Sequence, residues 1–208
     1  MKIIGVTGNI GTGKSTVAGM LKDLGAMHLD ADKVGHELLA PQGAAYKEII
    51  ATFGRSILKD NGEIERPRLG MIVFQDPSKL EKLNQIMWPR IIELSKQKMA
   101  EMVRNGVKVV VYEAAVMFEA GWQTLPDEIW VTSAPEDIVI KRLLATGRFT
   151  EQQARDRIRS QMPAAEKAKK ADVVVDTNCD FTELRRRVAE LWKQRGLDKV
   201  WGGVNPKS

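Results

Sequence analysis

Apolar positions along this chain fall into two regimes. Short, nearly unbroken apolar runs occur at Lys2–Thr7, Ala26–Asp30, Val107–Tyr112, Glu128–Thr132 and Ala171–Asp176. They are too short for buried helices and mostly rich in β-branched residues, so they read as strands covered on both faces. Between most of them apolar residues recur at three- and four-residue spacing, as in Val17, Ala18, Leu21 and Leu24 before Gly25. That is the period of a helix with one buried face. Strands alternating with helices predict an α/β fold: a five-stranded, mostly parallel sheet flanked by helices.

Two stretches depart from this alternation. From Pro41 to Gly106 the strand signals vanish and the pattern is helical, broken at Gln42-Gly43, Asp60-Asn61-Gly62, Asp76-Pro77 and Trp88-Pro89. A helical insert at about 41–106 is expected, its last helix running from near Pro77 to Asn105 and bending at Pro89, where the ring removes a donor and crowds the preceding turn. Met87 and Trp88 are expected in the core. The second stretch follows the fourth strand. Pro135 suits the first position of a helix that carries Lys141 and Arg142 and ends at Thr146-Gly147; a second helix, Glu151–Met162, bears Arg155, Arg157 and Arg159. A charged hairpin at about 145–170 suits a lid that closes basic side chains over phosphates, although several of these arginines must be ordinary solvated groups. The final helix follows Thr177-Asn178-Cys179-Asp180 and runs to about Arg195, and Gly202–Ser208 reads as a frayed tail. The whole fits one domain with core segments 1–40, 107–144 and 171–200.

Composition narrows the class. At 208 residues the chain can bury a sizeable core, and no apolar run approaches the ~20 residues of a membrane span. The start, Met-Lys-Ile-Ile-Gly, leads straight into a strand, so no signal peptide and a cytosolic setting are expected. Cys179 is the only cysteine and cannot form an internal disulfide. The net charge of +5 suggests polyanionic ligands; with basic residues dispersed and no aromatic-rich motif beside them, small-molecule phosphates are favoured over nucleic acid. A monomer is expected.

The chemistry concentrates where the first strand meets the first helix. Gly8 to Ser15 reads Gly-Asn-Ile-Gly-Thr-Gly-Lys-Ser, a phosphate loop in which successive amides cradle an anion, a lysine neutralises it and a hydroxyl holds Mg²⁺. Gly8, Gly11 and Gly13 permit the required backbone angles, while Lys14 and the helix N-terminus add positive field. The nucleotide-binding set is therefore Gly8, Asn9, Gly11, Thr12, Gly13, Lys14, Ser15 and Thr16.

Other candidates are placed by the sheet, because ligands of open α/β sheets gather beyond the carboxyl ends of strands. Asp30 and Asp32 end the second strand; one would face the phosphates and Mg²⁺ while the other orients a neighbour or caps the next helix, the alternative being that Asp32 itself is only a helix cap. Glu113 ends the third strand, where a ligand to metal-bound water normally sits. Glu119 lies in a loop that either lines the pocket or is plain surface, and Trp122 is expected to pack. Asn178 either reads a purine edge or belongs to an Asx turn and helix cap. Arg66, Arg68 and Arg90 are the insert's candidate anion anchors. His28 and His36 have no metal spacing and are read as structural. No Asn-Lys-x-Asp-like guanine reader accompanies Val131-Thr132-Ser133-Ala134, and the chain is small for a motor. A small-molecule kinase remains, with γ-phosphate transferred in line by positioning and charge neutralisation.

The order of motifs resembles that of the dephospho-coenzyme A kinases: Gly5-Val6-Thr7-Gly8 into the loop, Leu29-Asp30-Ala31-Asp32, Phe53-Gly54 before Gly62-Glu63-Ile64-Glu65-Arg66, Val73-Phe74, Trp88-Pro89-Arg90-Ile91, Arg157-Ile158 with Gln161, and Ala171-Asp172-Val173-Val174-Val175. The resemblance implies a P-loop kinase fold with acceptor-binding insert and lid, and transfer from ATP to the ribose 3′-hydroxyl of dephospho-coenzyme A with Mg²⁺. It implies Asp32 as proton acceptor, Asp30 as support, Arg66 toward the acceptor's phosphates and Arg142 toward ATP; the loop and strand-end positions read above make Ser15, Asp32 and Glu113 the metal candidates and Glu113 and Glu119 candidate substrate contacts. Trp88-Pro89 replaces the His-Pro usual in bacterial members, and Glu113 to Glu119 replaces an Asp-x-Pro-Leu-Leu-x-Glu stretch; these features, with Glu119-Ala-Gly-Trp122, are similar to the kinase half of the animal bifunctional coenzyme A synthase. Thr146 stands where the family's lid arginine is usual, and Arg148 two positions later is its candidate substitute. Other acceptors, of shikimate or gluconate type, and a non-catalytic nucleotide-gated module are the alternatives.

Overall fold

The computed structural model describes residues 1–200, so the tail expected at Gly202–Ser208 lies outside the described residues. Five strands form one sheet: β1 (Lys2–Gly8), β2 (Met27–Asp30), β3 (Val109–Glu113), β4 (Glu128–Ser133) and β5 (Val173–Asp176), in the order β2-β3-β1-β4-β5. The pairings β1–β3, β1–β4 and β4–β5 are parallel, with Val6 opposite both Glu113 and Trp130. Such a sheet must be covered on both faces. Accordingly β3 is buried at every residue, whereas β5, at the edge, alternates buried and exposed.

The chain divides into two compact units, one made of Met1–Leu29 with the chain from Met102 onward, the other of Asp30–Glu101. In the first, α1 (Lys14–Asp23), α6 (Glu136–Ala145), α7 (Glu151–Arg159), α8 (Ala164–Lys169), α9 (Phe181–Gln194) and α10 (Leu197–Val200) accompany the sheet. Ile4, Val6, Val17, Leu21, Val111, Trp130, Val188 and Trp192 belong to one buried cluster, apolar surface removed from water that stabilises the fold. A smaller cluster of Val139, Leu143 and Ala154, with Ile10 and Ile158 against it, holds α6 and α7 together. Trp122 packs as expected, buried and tilted against the Tyr112 ring.

The second unit is helical: α2 (Ala31–Leu38), α3 (Tyr46–Phe53), α4 (Arg66–Phe74) and α5 (Pro77–Arg104), with a single bridge between Leu58 and Ile64. α5 runs unbroken through Pro89, and the Arg90 guanidinium donates to the Ile86 carbonyl beside the proline at 2.7 Å. Met87 is buried and Trp88 half-buried.

Several boundaries shift by one to three residues. β3 includes Glu113, Pro135 stands at the N-cap of α6 rather than inside it, and the helix expected over Glu151–Met162 stops at Arg159, Pro163 then opening α8.

Candidate active site

The loop between β1 and α1 is shaped by what its glycines lack. A Cβ on Gly8 would lie 2.4 Å from the Thr132 hydroxyl and 2.6 Å from its carbonyl, so only glycine lets β1 end this close to β4. Gly13 caps α1 at φ 88, a left-handed conformation open to glycine at little cost. Beyond it α1 begins Lys14-Ser15-Thr16, so its own first turn carries no acid to offset the positive end of the helix.

Buried threonines hold the loop from behind. The Thr12 hydroxyl lies 2.7 Å from both the Asn9 carbonyl and the Thr132 hydroxyl. The Thr177 hydroxyl lies 2.9 Å from the Thr12 carbonyl. Arg142 adds a third tie: Nη1 donates to Thr177 Oγ1 at 3.0 Å and Nη2 to the Thr177 carbonyl at 2.6 Å, with Gly11 O at 3.4 Å from Nη1. The Lys14 ammonium donates to Asn9 O at 3.0 Å, folded back across its own loop.

At the start of α1 Ser15 Oγ donates to Glu113 Oε1 at 2.6 Å, and His28 Nε2 lies 2.9 Å from Glu113 Oε2. Glu113 is only 6% exposed. Burial works to raise its pKa, yet hydrogen bonds from His28 and Ser15, with the charges of His28 and Lys14, outweigh burial and hold the carboxyl below the ordinary value of 4.5. An ionised Glu113 only accepts, so His28 Nε2 carries the proton.

The hairpin expected as a lid is fastened at its C-terminal root. Gln161 Oε1 accepts from the Ile10 amide at 2.8 Å, and Asn9 Nδ2 donates to Met162 O at 3.3 Å. The Met162 amide donates to Glu119 Oε1 at 3.2 Å, and Lys167, 0% exposed, reaches the same oxygen at 2.9 Å and Ala115 O at 3.1 Å. One oxygen of Glu119 is thus engaged within the protein. Arg148 is exposed, as is Asn178; the Asx turn there is made by Asp176, whose Oδ1 accepts from the Asn178 amide, and α9 is capped by Asp180.

In the second unit Asp30, not Asp32, caps α2: its Oδ1 accepts from the amides of Asp32 at 2.9 Å and Lys33 at 3.4 Å. Asp32 lies in the first turn of α2, where a negative charge suits the helix N-terminus. Arg66 opens α4 and donates to His36 Nε2. Burial first and then the Arg66 charge push the His36 pKa below 6.5 against the pull of Asp32 and Asp30, in keeping with an imidazole that accepts at Nε2. Arg90 pairs with Glu48, and Arg68 with Glu65 at 2.6 Å.

A family model described as dephospho-CoA kinase matches residues 2–183. The chain belongs to the dephospho-CoA kinase family. It is 40% identical over 202 residues to dephospho-CoA kinase of Carboxydothermus hydrogenoformans, covering 96% of this chain and 98% of that one. To the Geobacter sulfurreducens enzyme of the same name it is 41% identical over 195 residues, covering 94% and 99%. Among solved structures, dephospho-CoA kinase from Campylobacter jejuni superposes with TM-score 0.71 at 25% identity, covering 96% of this chain and all of that one.

For this member of the dephospho-CoA kinase family, sequence reasoning missed what stands behind the loop. Thr132, Thr177 and Lys167 carry no motif and are found only once β4, β5 and α8 are brought together. His28, read as structural, proves to be Glu113's partner; the one available hint was a polar residue inside an apolar strand.

Proposed function

We propose that this chain transfers the γ-phosphate of ATP to the ribose 3′-hydroxyl of dephospho-CoA, giving CoA and ADP. The observation that carries the reading is a phosphate loop, with Lys14 and the Ser15–Glu113 pair at its end, in a chain of the dephospho-CoA kinase family. In this reading the amides of Gly11 to Thr16 bind the phosphates and Lys14 turns from Asn9 O to the β- and γ-phosphates. Arg142, with Arg148 from the hairpin, contacts ATP, and Asn178 lies at the purine. Arg66 leaves His36 for the acceptor's phosphates, with Glu113 and Glu119 completing the acceptor set. The Asp32 carboxylate takes the hydroxyl proton, the freed oxygen forms a bond to the γ-phosphorus on the face opposite the leaving oxygen, and ADP departs with the bond's electron pair.

The donor set suits Mg²⁺. Ser15 Oγ and Glu113 Oε1, 2.6 Å apart, are hard oxygens of the kind that ion takes together with phosphate and water; Asp32 is the third candidate ligand. Bound there, Mg²⁺ would neutralise charge on the β- and γ-phosphate oxygens. A cytosolic setting goes with the same reading. Among the described residues no helix is long and apolar enough to cross a membrane.

An acceptor panel tests the proposal. ADP release from ATP and Mg²⁺ is expected with dephospho-CoA and to stay at background with shikimate or gluconate. Turnover of either of those without dephospho-CoA activity would overturn the acceptor. Tight ATP binding with no acceptor-stimulated ADP release would leave a nucleotide-gated module.

A further inference from the structure

The Glu113 carboxylate is held at both oxygens. Oε1 receives the Ser15 hydroxyl at 2.6 Å and Oε2 receives His28 Nε2 at 2.9 Å. The two donors come from different elements: Ser15 sits in the first turn of α1, His28 on β2, the strand next to β3. With a short, rigid carboxylate pinned on one side by an imidazole, rotation about its last torsion is arrested and Oε1 stays presented to Ser15. His28 itself has no other hydrogen bond or ion pair among those described, and its side chain is 18% exposed. It is a polar side chain on a strand whose following residue, Leu29, is buried, and no core contact requires an imidazole there.

We propose that His28 is a positioning residue: through Glu113 Oε2 it fixes the carboxylate so that Oε1 and Ser15 Oγ are preset for the magnesium of the bound nucleotide. This rests on the nucleotide reading above and extends it to a residue outside the loop and the strand-end acids. A donor that orients a ligating carboxylate commonly changes metal affinity or activity by about 10- to 100-fold when removed.

The test is calorimetric titration of ATP into the full chain with Mg²⁺ and with EDTA, for the wild type and for His28→Val, His28→Asn and His28→Gln. The wild type should bind ATP more tightly with Mg²⁺. His28→Val should lose about tenfold of that magnesium-dependent gain, on the scale above, with affinity in EDTA unchanged and kcat falling more than KM rises. Gln places an amide N–H where Nε2 stood and should restore most of the gain; Asn, one carbon shorter, should behave as Val does, which keeps the test decisive if His28→Val does not fold. A wild-type gain in both Val and Asn variants overturns the inference alone. So does an equal loss of affinity in EDTA and in Mg²⁺, which marks a merely structural residue. A wild type indifferent to Mg²⁺ overturns it together with the magnesium reading.

Discussion

The phosphate loop and the hairpin of α6 and α7 carry the same kind of charge and hold it in opposite ways. Behind the loop, polar groups are shielded from solvent and tied to one another: Thr12 to Asn9 and Thr132, Thr177 to Thr12, and Arg142, reaching in from α6, to Thr177. On the hairpin, Arg155 meets Glu151 at 2.7 Å and Glu136 at 3.4 Å with all three side chains in solvent. Exposed pairs of that kind contribute about 0–1 kcal/mol each and rearrange freely, whereas a buried hydroxyl left without its partner costs about 1–3 kcal/mol. Recognition built from backbone amides is therefore fixed before a ligand arrives. Exposed cationic side chains of the hairpin are held only loosely by neighbouring carboxylates.

Five substitutions probe that contrast, from the largest expected effect down. Lys14→Ala removes the one cation built into the loop and should lower transfer by about three powers of ten or more, read as kcat/KM in a coupled ADP assay. Asp32→Asn should lower kcat by about two to four powers of ten while ATP affinity, measured by titration, stays put; loss of ATP binding at unchanged turnover would make Asp32 structural. Thr177→Val keeps the shape but takes the hydroxyl away from Arg142 Nη1 and from the Thr12 carbonyl. A loss of about 1.4 kcal/mol is expected there, read as a roughly tenfold rise in the KM for ATP. Were KM to stay at the wild-type value, the buried scaffold would have no hold on the loop.

On the hairpin side, Thr150→Ala breaks a capping box in which Thr150 and Gln153 bond each other's amides. About 1 kcal/mol of stability should go, a Tm drop of roughly 2–4 °C by calorimetry, with little change in kcat. The smallest effect belongs to an exposed pair on α9. Glu183, bonded by Arg186 and Arg187, has its pKa lowered from 4.5 to about 2. Because the folded-state value is depressed, its contribution is complete above pH 4.5 and fades as the pH falls toward 2. The Tm gap between wild type and Glu183→Gln should shrink over that window; a gap that is flat from pH 7 to 3 would show that these bonds do not persist in solution.

Much of this was legible because it is local. The five apolar runs and the Gly8–Ser15 motif are decided by residues within a turn or two of each other, and their positions hold to within about two residues. The scaffold was not legible. Thr132 and Thr12 are 120 residues apart and Thr177 and Thr12 165, and a threonine in a strand looks the same whether its hydroxyl serves a distant carbonyl or nothing. Lys167 was hidden for a related reason: a lysine in a polar helix reads as solvated, and only α8 packing toward Glu119 makes it wholly buried. Asp30 lay between these cases. Two acids two residues apart at a strand end announce one cap, but which acid caps depends on whether the helix begins at residue 31 or 33.

The grip of Gln161 and Met162 on Ile10 and Asn9 makes the hairpin's two attachments unequal. At Gly147 the chain turns at φ 68 with open space where a side chain would stand, while at the other end two hydrogen bonds join it to the very segment that receives phosphate. A displacement of α7 that kept those bonds would have to pivot there, and one that broke them would free the Ile10 amide. Movement of the arm and the donor count of the cradle are thus coupled through a single glutamine.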